Sequence, residues 1–207
     1  MGYENVQRGA IVDILITAGA TRNPIDAMRY ISANSSGQTG VWIAEQLHPL
    51  HAVHLMGSPE ALSRCRIACE RTAFGSTDDL HDKMQEWLTT HPNGVVVHAA
   101  AVGDYAAANP SPSEKIASGA DKLTVDLVPT TKIIDRIKQW APSSTLISFK
   151  AAAPGTDATA LEAIATAQRV RTRSFAVFAN VIGSIRHRNL IVGAQGPDWY
   201  ESRPLAM

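Results

Sequence analysis

A near-continuous apolar run from Ile11 to Ile16, which breaks abruptly into Thr17-Ala18-Gly19-Ala20-Thr21, constrains this chain more than any other feature. A run without a regular polar alternation reads as a central parallel strand covered on both faces. The stretch then continues as ITAGATRNPIDAMRYISANSSGQTG, Ile16 to Gly40, and a helical pattern begins at Gly37. A strand that reaches a helix through small residues leaves free backbone N–H groups at the helix start, where α/β proteins hold phosphates. The expected ligand is a nucleotide or a phosphorylated substrate.

Within this stretch Gly19 permits close approach, Ser35, Ser36 and Gly37 supply hydroxyls and a turn, and Arg29 adds a positive charge. Either glycine alone also reads as an ordinary turn residue, and it is the density of small, hydroxyl and basic residues that favours phosphate. Neither GxGxxG nor GxxxxGK[ST] occurs, so the usual dinucleotide fingerprint and the P-loop are both absent.

Strands and helices then alternate. Val41, Ala44 and Leu47, with Ile43 and Leu50 on the same side, recur at helical spacing limited by Pro49. His51 to Met56 reads as a second strand, closed by the turn residues Gly57-Ser58-Pro59. Thr77-Asp78-Asp79 starts a helix with Leu80, Met84, Trp87 and Leu88 on one face, ending near His91-Pro92-Asn93-Gly94. Val95 to Val97 form a buried strand that runs into His98-Ala-Ala-Ala-Val-Gly-Asp104-Tyr105. Small residues followed by an acid suit a ligand lying across a strand's carboxyl end, with Asp104 facing it.

Ala106 to Asp121, rich in Ala, Pro and Ser, reads as a mobile loop carrying Glu114-Lys115. Beyond it, Leu123, Val125 and Leu127 or Val128 alternate as an exposed strand, and Ile133, Ile137 and Trp140 mark a helix. Leu146 to Phe149, a helix around Leu161 and Ile164, and Phe175 to Phe178 ending in Ala179-Asn180 continue the alternation. Leu190 to Val192 reads as the last strand, and Met1 to Arg8 as a loose polar end. The expectation is an α/β, three-layer Rossmann-like fold with a mainly parallel sheet, in one domain over residues 1–207.

Charge and composition narrow the function. Hydrophobic residues make up 45% and charged residues 18%, as in globular chains. The formal net charge is zero, which gives no support to long-range attraction to nucleic acid or anionic membrane, so phosphate binding must be local. No apolar run approaches the ~20 residues of a membrane span, and no signal pattern opens the chain, so a cytoplasmic location is expected. Cys65 and Cys69, four apart in a segment that could be helical, match no zinc or redox spacing and are expected to be reduced. His48, His51 and His54 are three apart, but Pro49 and the change to strand argue against a common face, so no metal ligand is assigned.

Taken together, the Ile16–Gly40 block, HAAAVGDY, Glu114-Lys115, Ser148-Phe149-Lys150 and Ala179-Asn180 make the chain resemble the phosphopantothenoylcysteine synthetase family. The resemblance covers about Val12 to Asn180, in the stand-alone form without a fused decarboxylase. It implies a ligase that activates the carboxylate of 4′-phosphopantothenate with CTP or ATP and then joins it to cysteine. A carboxylate is a poor electrophile and needs a leaving group, and two anions must be brought together by cations and backbone donors.

By this resemblance Gly19, Ser35, Ser36, Gly37, Ala100, Asp104, Phe149 and Lys150 bind the nucleotide, and Ala33 and Asn180 the acid substrate. Lys115, Arg29 and Asn34 would be catalytic, Lys115 as the lysine of a flap that closes on developing charge. The family also implies Mg²⁺ on the nucleotide and a homodimer that completes the substrate site. Three positions depart from its pattern: Ala33 stands where an asparagine holds the reacting carbonyl, Gln38 where a lysine follows the glycine, and Ala152 where a glutamate closes FKLET. Four readings stay open: a divergent synthetase, a relative acting on another acid or stopping at the acyl-nucleotide, a nucleotide-binding protein without catalysis, and a Rossmann oxidoreductase.

Overall fold

The computed structural model describes residues 10–184 and 188–201. The chain runs through β1 (Asp13–Ala18), β2 (Arg22–Pro24), β3 (Tyr30–Ser32), α1 (Gln38–Leu47), β4 (Ala52–Gly57), α2 (Pro59–Arg64) and β5 (Glu70–Ala73). It continues through α3 (Thr77–Thr90), β6 (Val95–His98), β7 (Tyr105–Ala107), β8 (Leu127–Pro129), α4 (Ile133–Trp140) and β9 (Thr145–Ala152). It closes with α5 (Ala158–Thr172), β10 (Ala176–Val181), β11 (Asn189–Gly193) and β12 (Gly196–Tyr200).

Eight strands form one sheet in the order β12-β11-β10-β9-β6-β1-β4-β5. The pairings from β5 across to β10 are parallel, and β11 and β12 add an antiparallel edge. From β1 the chain builds outward through β4 to β5, then returns to place β6 on the other side of β1. The strand order therefore reverses between β1 and β6, and such a switch point opens a crevice at the carboxyl ends of its two strands.

Helices cover both faces. Leu80, Met84 and Leu88 of α3 pack with Ile133 and Ile137 of α4 on Leu15, Val96 and Leu146. Opposite them, Val41 and Ala44 of α1 and Ala61 of α2 pack on Ile14, Ile16, Leu55 and Val97. Alternate residues of β1 thus enter different cores, as the period of a strand requires. Leu161 and Ala165 of α5 cover β10 and β11 through Val177, Ala179, Leu190 and Val192.

Several boundaries differ from the sequence reading. β1 begins at Asp13, and Ile11 is 77% exposed because it precedes the first pairing with β4. Leu50 is 67% exposed, having followed the end of α1 into the turn at Pro49. Cys65 caps α2 and Cys69 lies just before β5, so the two free thiols do not share a helix. The exposed strand expected from Leu123 shrinks to β8, which pairs with β7. β9 runs on through Lys150 to Ala152, and Leu190 to Val192 lies in β11, which hairpins into β12. The loose end expected at Met1 to Arg8 lies outside the described residues.

Candidate functional site

At the carboxyl ends of β1 and β6 the switch point opens into a cavity of about 740 Å³. Ala33 to Gly40 form one wall, His98 to Val102 and Asp104 the floor, and Thr131 to Ile134 a second wall. Phe149, Lys150, Ala151, Gln168, Arg171 and Asn180 close the far side. Of the residues assigned from sequence, Ala33, Asn34, Ser35, Ser36, Gly37, Ala100, Asp104, Phe149, Lys150 and Asn180 all line this one space.

The first wall includes the start of α1. Its N-cap Gly37 is left-handed, with φ 73, and no side chain caps the helix. By contrast α2, α3 and α5 are capped by Ser58, Ser76 and Asp157, and α2 and α3 also carry acids in their first turn. α1 has no such acid, so the positive end of its dipole is not offset from within. Ser36 Oγ lies 3.4 Å from Gln38 N and Ser35 Oγ 3.4 Å from Gly37 N, contacts long enough for an anion to displace.

Gly19 stands beneath this wall. A Cβ on Gly37 would lie 2.5 Å from Ala61 Cβ and 2.8 Å from Gly19 N. One on Gly40 would lie 2.7 Å from Ala18 Cβ, so α1 seats directly on the end of β1. Gly19 is thus a packing residue of the floor and does not line the cavity.

Charges across the cavity are unequal. Lys132 Nζ is 2.6 Å from Asp104 Oδ1, and Arg171 is paired with Asp135. Lys150 has no ion pair among the described residues, which leaves it as a cation open to a ligand. Asp104, assigned to the nucleoside, lines the cavity but is bonded to Lys132, a residue the sequence reading missed.

Arg29 and Lys115 stand elsewhere. The Arg29 guanidinium is paired with Asp26, a residue only 3% exposed, and neither Arg29 nor Lys115 lines the cavity. Asp26 Oδ1 accepts Met28 N at 2.8 Å and Arg29 N at 2.7 Å, and Oδ2 accepts Ile116 N at 3.1 Å. The Met28 N–H above all, with those of Arg29 and Ile116 and the Arg29 charge, holds this carboxyl below its ordinary value despite burial. Ala27 N to Glu114 O at 2.9 Å and Ser111 N to Ile25 O at 2.9 Å complete the attachment. The loop expected to be mobile is therefore tethered on both sides of Lys115.

Thr21 and Asn23 explain the rest of the TRNPID segment. Both are buried, Thr21 Oγ1 accepting Gly103 N at 2.8 Å and Asn23 Oδ1 accepting Thr77 N at 2.9 Å. Asn23 Nδ2 also donates to Tyr105 O at 2.9 Å. The segment is a brace that holds the Ala101–Tyr105 turn and the start of α3. Composition around residues 21–26 reads as a loop, and only the fold reveals these partners.

His48, His51 and His54 line a separate cavity of about 230 Å³, together with Asp13, Cys69, Glu70 and His91. Among the described residues no three ligating groups stand together as a metal would require. Likewise, no described helix is long and apolar enough to cross a membrane.

Residues 10–187 match the family model described as DNA/pantothenate metabolism flavoprotein C-terminal domain. The coenzyme A biosynthesis bifunctional protein CoaBC of Thermococcus kodakarensis is 35% identical over 188 residues, 87% of this chain and 44% of that protein. This chain therefore spans less than half of that relative. Among solved structures, the DNA/pantothenate metabolism flavoprotein of Streptococcus pneumoniae superposes with a TM-score of 0.83 at 24% identity, over 95% of each chain. A Cab2 mutant in complex with phosphopantothenate-cysteine gives 0.75 at 20% identity, over 92% of this chain and 80% of that one. At those identities the two structures establish the shared fold. With the family model spanning most of its length, this chain belongs to the DNA/pantothenate metabolism flavoprotein C-terminal domain family.

Proposed function

We propose that this chain is a phosphopantothenoylcysteine synthetase-like ligase, which activates the carboxylate of 4′-phosphopantothenate with CTP or ATP and then forms an amide with cysteine. The observation that carries the reading is the convergence of ten sequence-assigned residues on one cavity at the switch point, in a chain of this family. The uncapped start of α1 and the unpaired Lys150 suit the triphosphate, and Phe149 and Asp104 suit the nucleoside.

Mg²⁺ fits as an ion carried on the triphosphate, with the hydroxyls of Ser35 and Ser36 as the oxygen donors at hand. Bound there, it neutralises phosphate charge. The chain's own residues do the rest: the α1 amides orient the phosphates, and Lys150 offsets their charge. Lys115, held outside this chain's own cavity, would reach the charge that develops when pyrophosphate leaves across the homodimer that completes the site.

A homodimer belongs to the same reading. Tyr30, Tyr105, Leu127 and Val128, each between 45% and 53% exposed, lie on the two short ribbons β2-β3 and β7-β8. These ribbons contact each other through β2, β3 and β7, and a second copy would cover them.

One departure supports a second reading, in which the enzyme stops at the acyl-nucleotide: Ala33 lines the cavity with a methyl group where the family pattern has an amide. Purified protein given Mg²⁺, CTP or ATP and 4′-phosphopantothenate, with and without cysteine, separates the two. Pyrophosphate release followed by amide formation is the expected result. Pyrophosphate without amide selects the second reading, and no pyrophosphate with either nucleotide rejects both. Replacing Lys115 by Ala should lower pyrophosphate release far more than nucleotide affinity, by roughly 3 kcal/mol in the barrier.

A further inference from the structure

His98 ends β6 at the switch point, in register with Thr17 of β1 on one side and Ser148 of β9 on the other. It is 5% exposed and belongs to the cavity floor. Nδ1 lies 2.9 Å from Thr17 Oγ1, and Thr17 Oγ1 in turn accepts Ala100 N at 3.1 Å.

This geometry determines the tautomer. Thr17 is wholly buried, and His98 and Ala100 are the partners of its hydroxyl among the described residues. If that oxygen accepted from both, its own hydrogen would be left buried without an acceptor, a loss of about 1–3 kcal/mol. The hydroxyl therefore donates to Nδ1, and the ring proton resides on Nε2. Burial also holds the imidazole neutral, with its pKa down to about 4. No hydrogen bond engages Nε2 among the described residues, and His98 lines the cavity. A ring whose lone-pair nitrogen is occupied cannot serve as a base. It can donate.

We propose that His98 presents a fixed Nε2–H donor to an oxygen of the nucleotide bound over the switch point, with Thr17 as the positioning residue that sets the tautomer. Ser148 cannot replace it, because its hydroxyl is engaged by Ser174 Oγ at 2.9 Å and Gln168 Nε2 at 3.0 Å. A neutral donor also discriminates by shape: it adds a directed hydrogen bond without adding to the charge of Lys150 and Lys132. This inference rests on the cavity being a nucleotide site, as proposed above.

The test uses full-length protein labelled with ¹⁵N-histidine, assigned by comparison with His98→Phe, and titrated with CTP or ATP in the presence of Mg²⁺. Without nucleotide, His98 should show a protonated Nε2 and an unprotonated Nδ1 at neutral pH, and the Nε2–H signal should move on binding. His98→Phe should weaken nucleotide binding about tenfold, while His98→Gln, whose amide reaches the Nε2 position, should stay within about threefold. Thr17→Val should mix the tautomers and weaken binding about threefold, and Thr17→Ser should do neither. A protonated Nδ1, or an Nε2–H signal that ignores bound nucleotide, overturns the role of His98 and leaves the ligase reading standing. Failure of the wild type to bind either nucleotide overturns both.

Discussion

Asp26 Oδ2 accepts the backbone N–H of Ile116 at 3.1 Å, across 90 residues of chain, while the same carboxylate holds the Arg29 guanidinium. The most distinctive block of the sequence is thereby fastened to the loop that carries Lys115. Arg29, which the sequence suggests as a phosphate-binding charge, serves this attachment from outside the cavity.

Replacing Asp26 by Asn isolates the effect. The amide oxygen can still accept Met28 N and Arg29 N, but the nitrogen that replaces Oδ2 can accept neither Ile116 N nor Arg29. The loss should be ~1–3 kcal/mol of stability, with faster proteolytic cutting between residues 108 and 126. Pyrophosphate release should fall while nucleotide affinity is retained. Unchanged cutting and turnover would mean that the tether does not govern Lys115.

Gly37→Ala should damage the fold and the cavity wall at the start of α1 together. The backbone there has φ 73, and the new Cβ would stand 2.5 Å from Ala61 Cβ and 2.8 Å from Gly19 N. Left-handed strain of roughly 1–2 kcal/mol adds to displacement of a helix that cannot retreat from β1. The check is urea unfolding, which should show a lower midpoint, alongside loss of the thermal stabilisation by CTP or ATP. A variant as stable as wild type with full nucleotide binding would contradict the packing argument.

At Ala33 the expected defect lies in the second half-reaction. A methyl group cannot donate to the carbonyl oxygen under attack, so cysteine should consume the acyl-nucleotide slowly, and Ala33→Asn should accelerate that step. Asn34 also lines the cavity and is the one neighbour that could take over. Single-turnover decay in wild type, Ala33→Asn and Asn34→Ala decides: fast wild-type decay that collapses in Asn34→Ala transfers the role to Asn34.

Acid should weaken the fold through its buried histidines. Burial lowers His98 to about 4 from the ordinary 6.5, and burial above all lowers His54 too, with Glu70 opposing and His91 assisting. Between these values the unfolded chain binds more protons than the folded one. Stability is therefore full above pH 6.5 and declines as pH falls toward 4. His98 alone contributes ~3 kcal/mol to that decline, and His98→Gln should remove this share while leaving the rest. Urea unfolding of both proteins from pH 7.5 to pH 4.5 measures the difference, and parallel curves would refute the assignment.

Much of the fold could be read directly from the chain because its signals are local. The apolar runs at Ile14–Ile16, Val95–Val97 and Val177–Phe178 are buried parallel strands, and the spacing of Leu80, Met84, Trp87 and Leu88 is that of α3. Of the short strands, β8 was legible as the end of a longer alternating run, whereas β2, β3, β7 and β12 were not, since three to five residues without strong alternation take their form from a partner strand.

For the site, the breaks in the apolar runs pointed to the small and hydroxyl residues after β1 and to the Ala-rich end of β6, which line one cavity, while Gly19, Arg29 and Lys115 lie outside it. That held because ligands of an α/β sheet collect at strand ends, and strand ends are visible as breaks in apolar runs. The partners of these side chains emerge only in the folded chain. The separation of Arg29 from the cavity, the tethering of Lys115 and the tautomer of His98 depend on Asp26, Ile116 and Thr17, whose hydrogen bonds join segments 81 to 90 residues apart. Such partners lie beyond any local pattern, because a buried polar group selects its partner by distance in space.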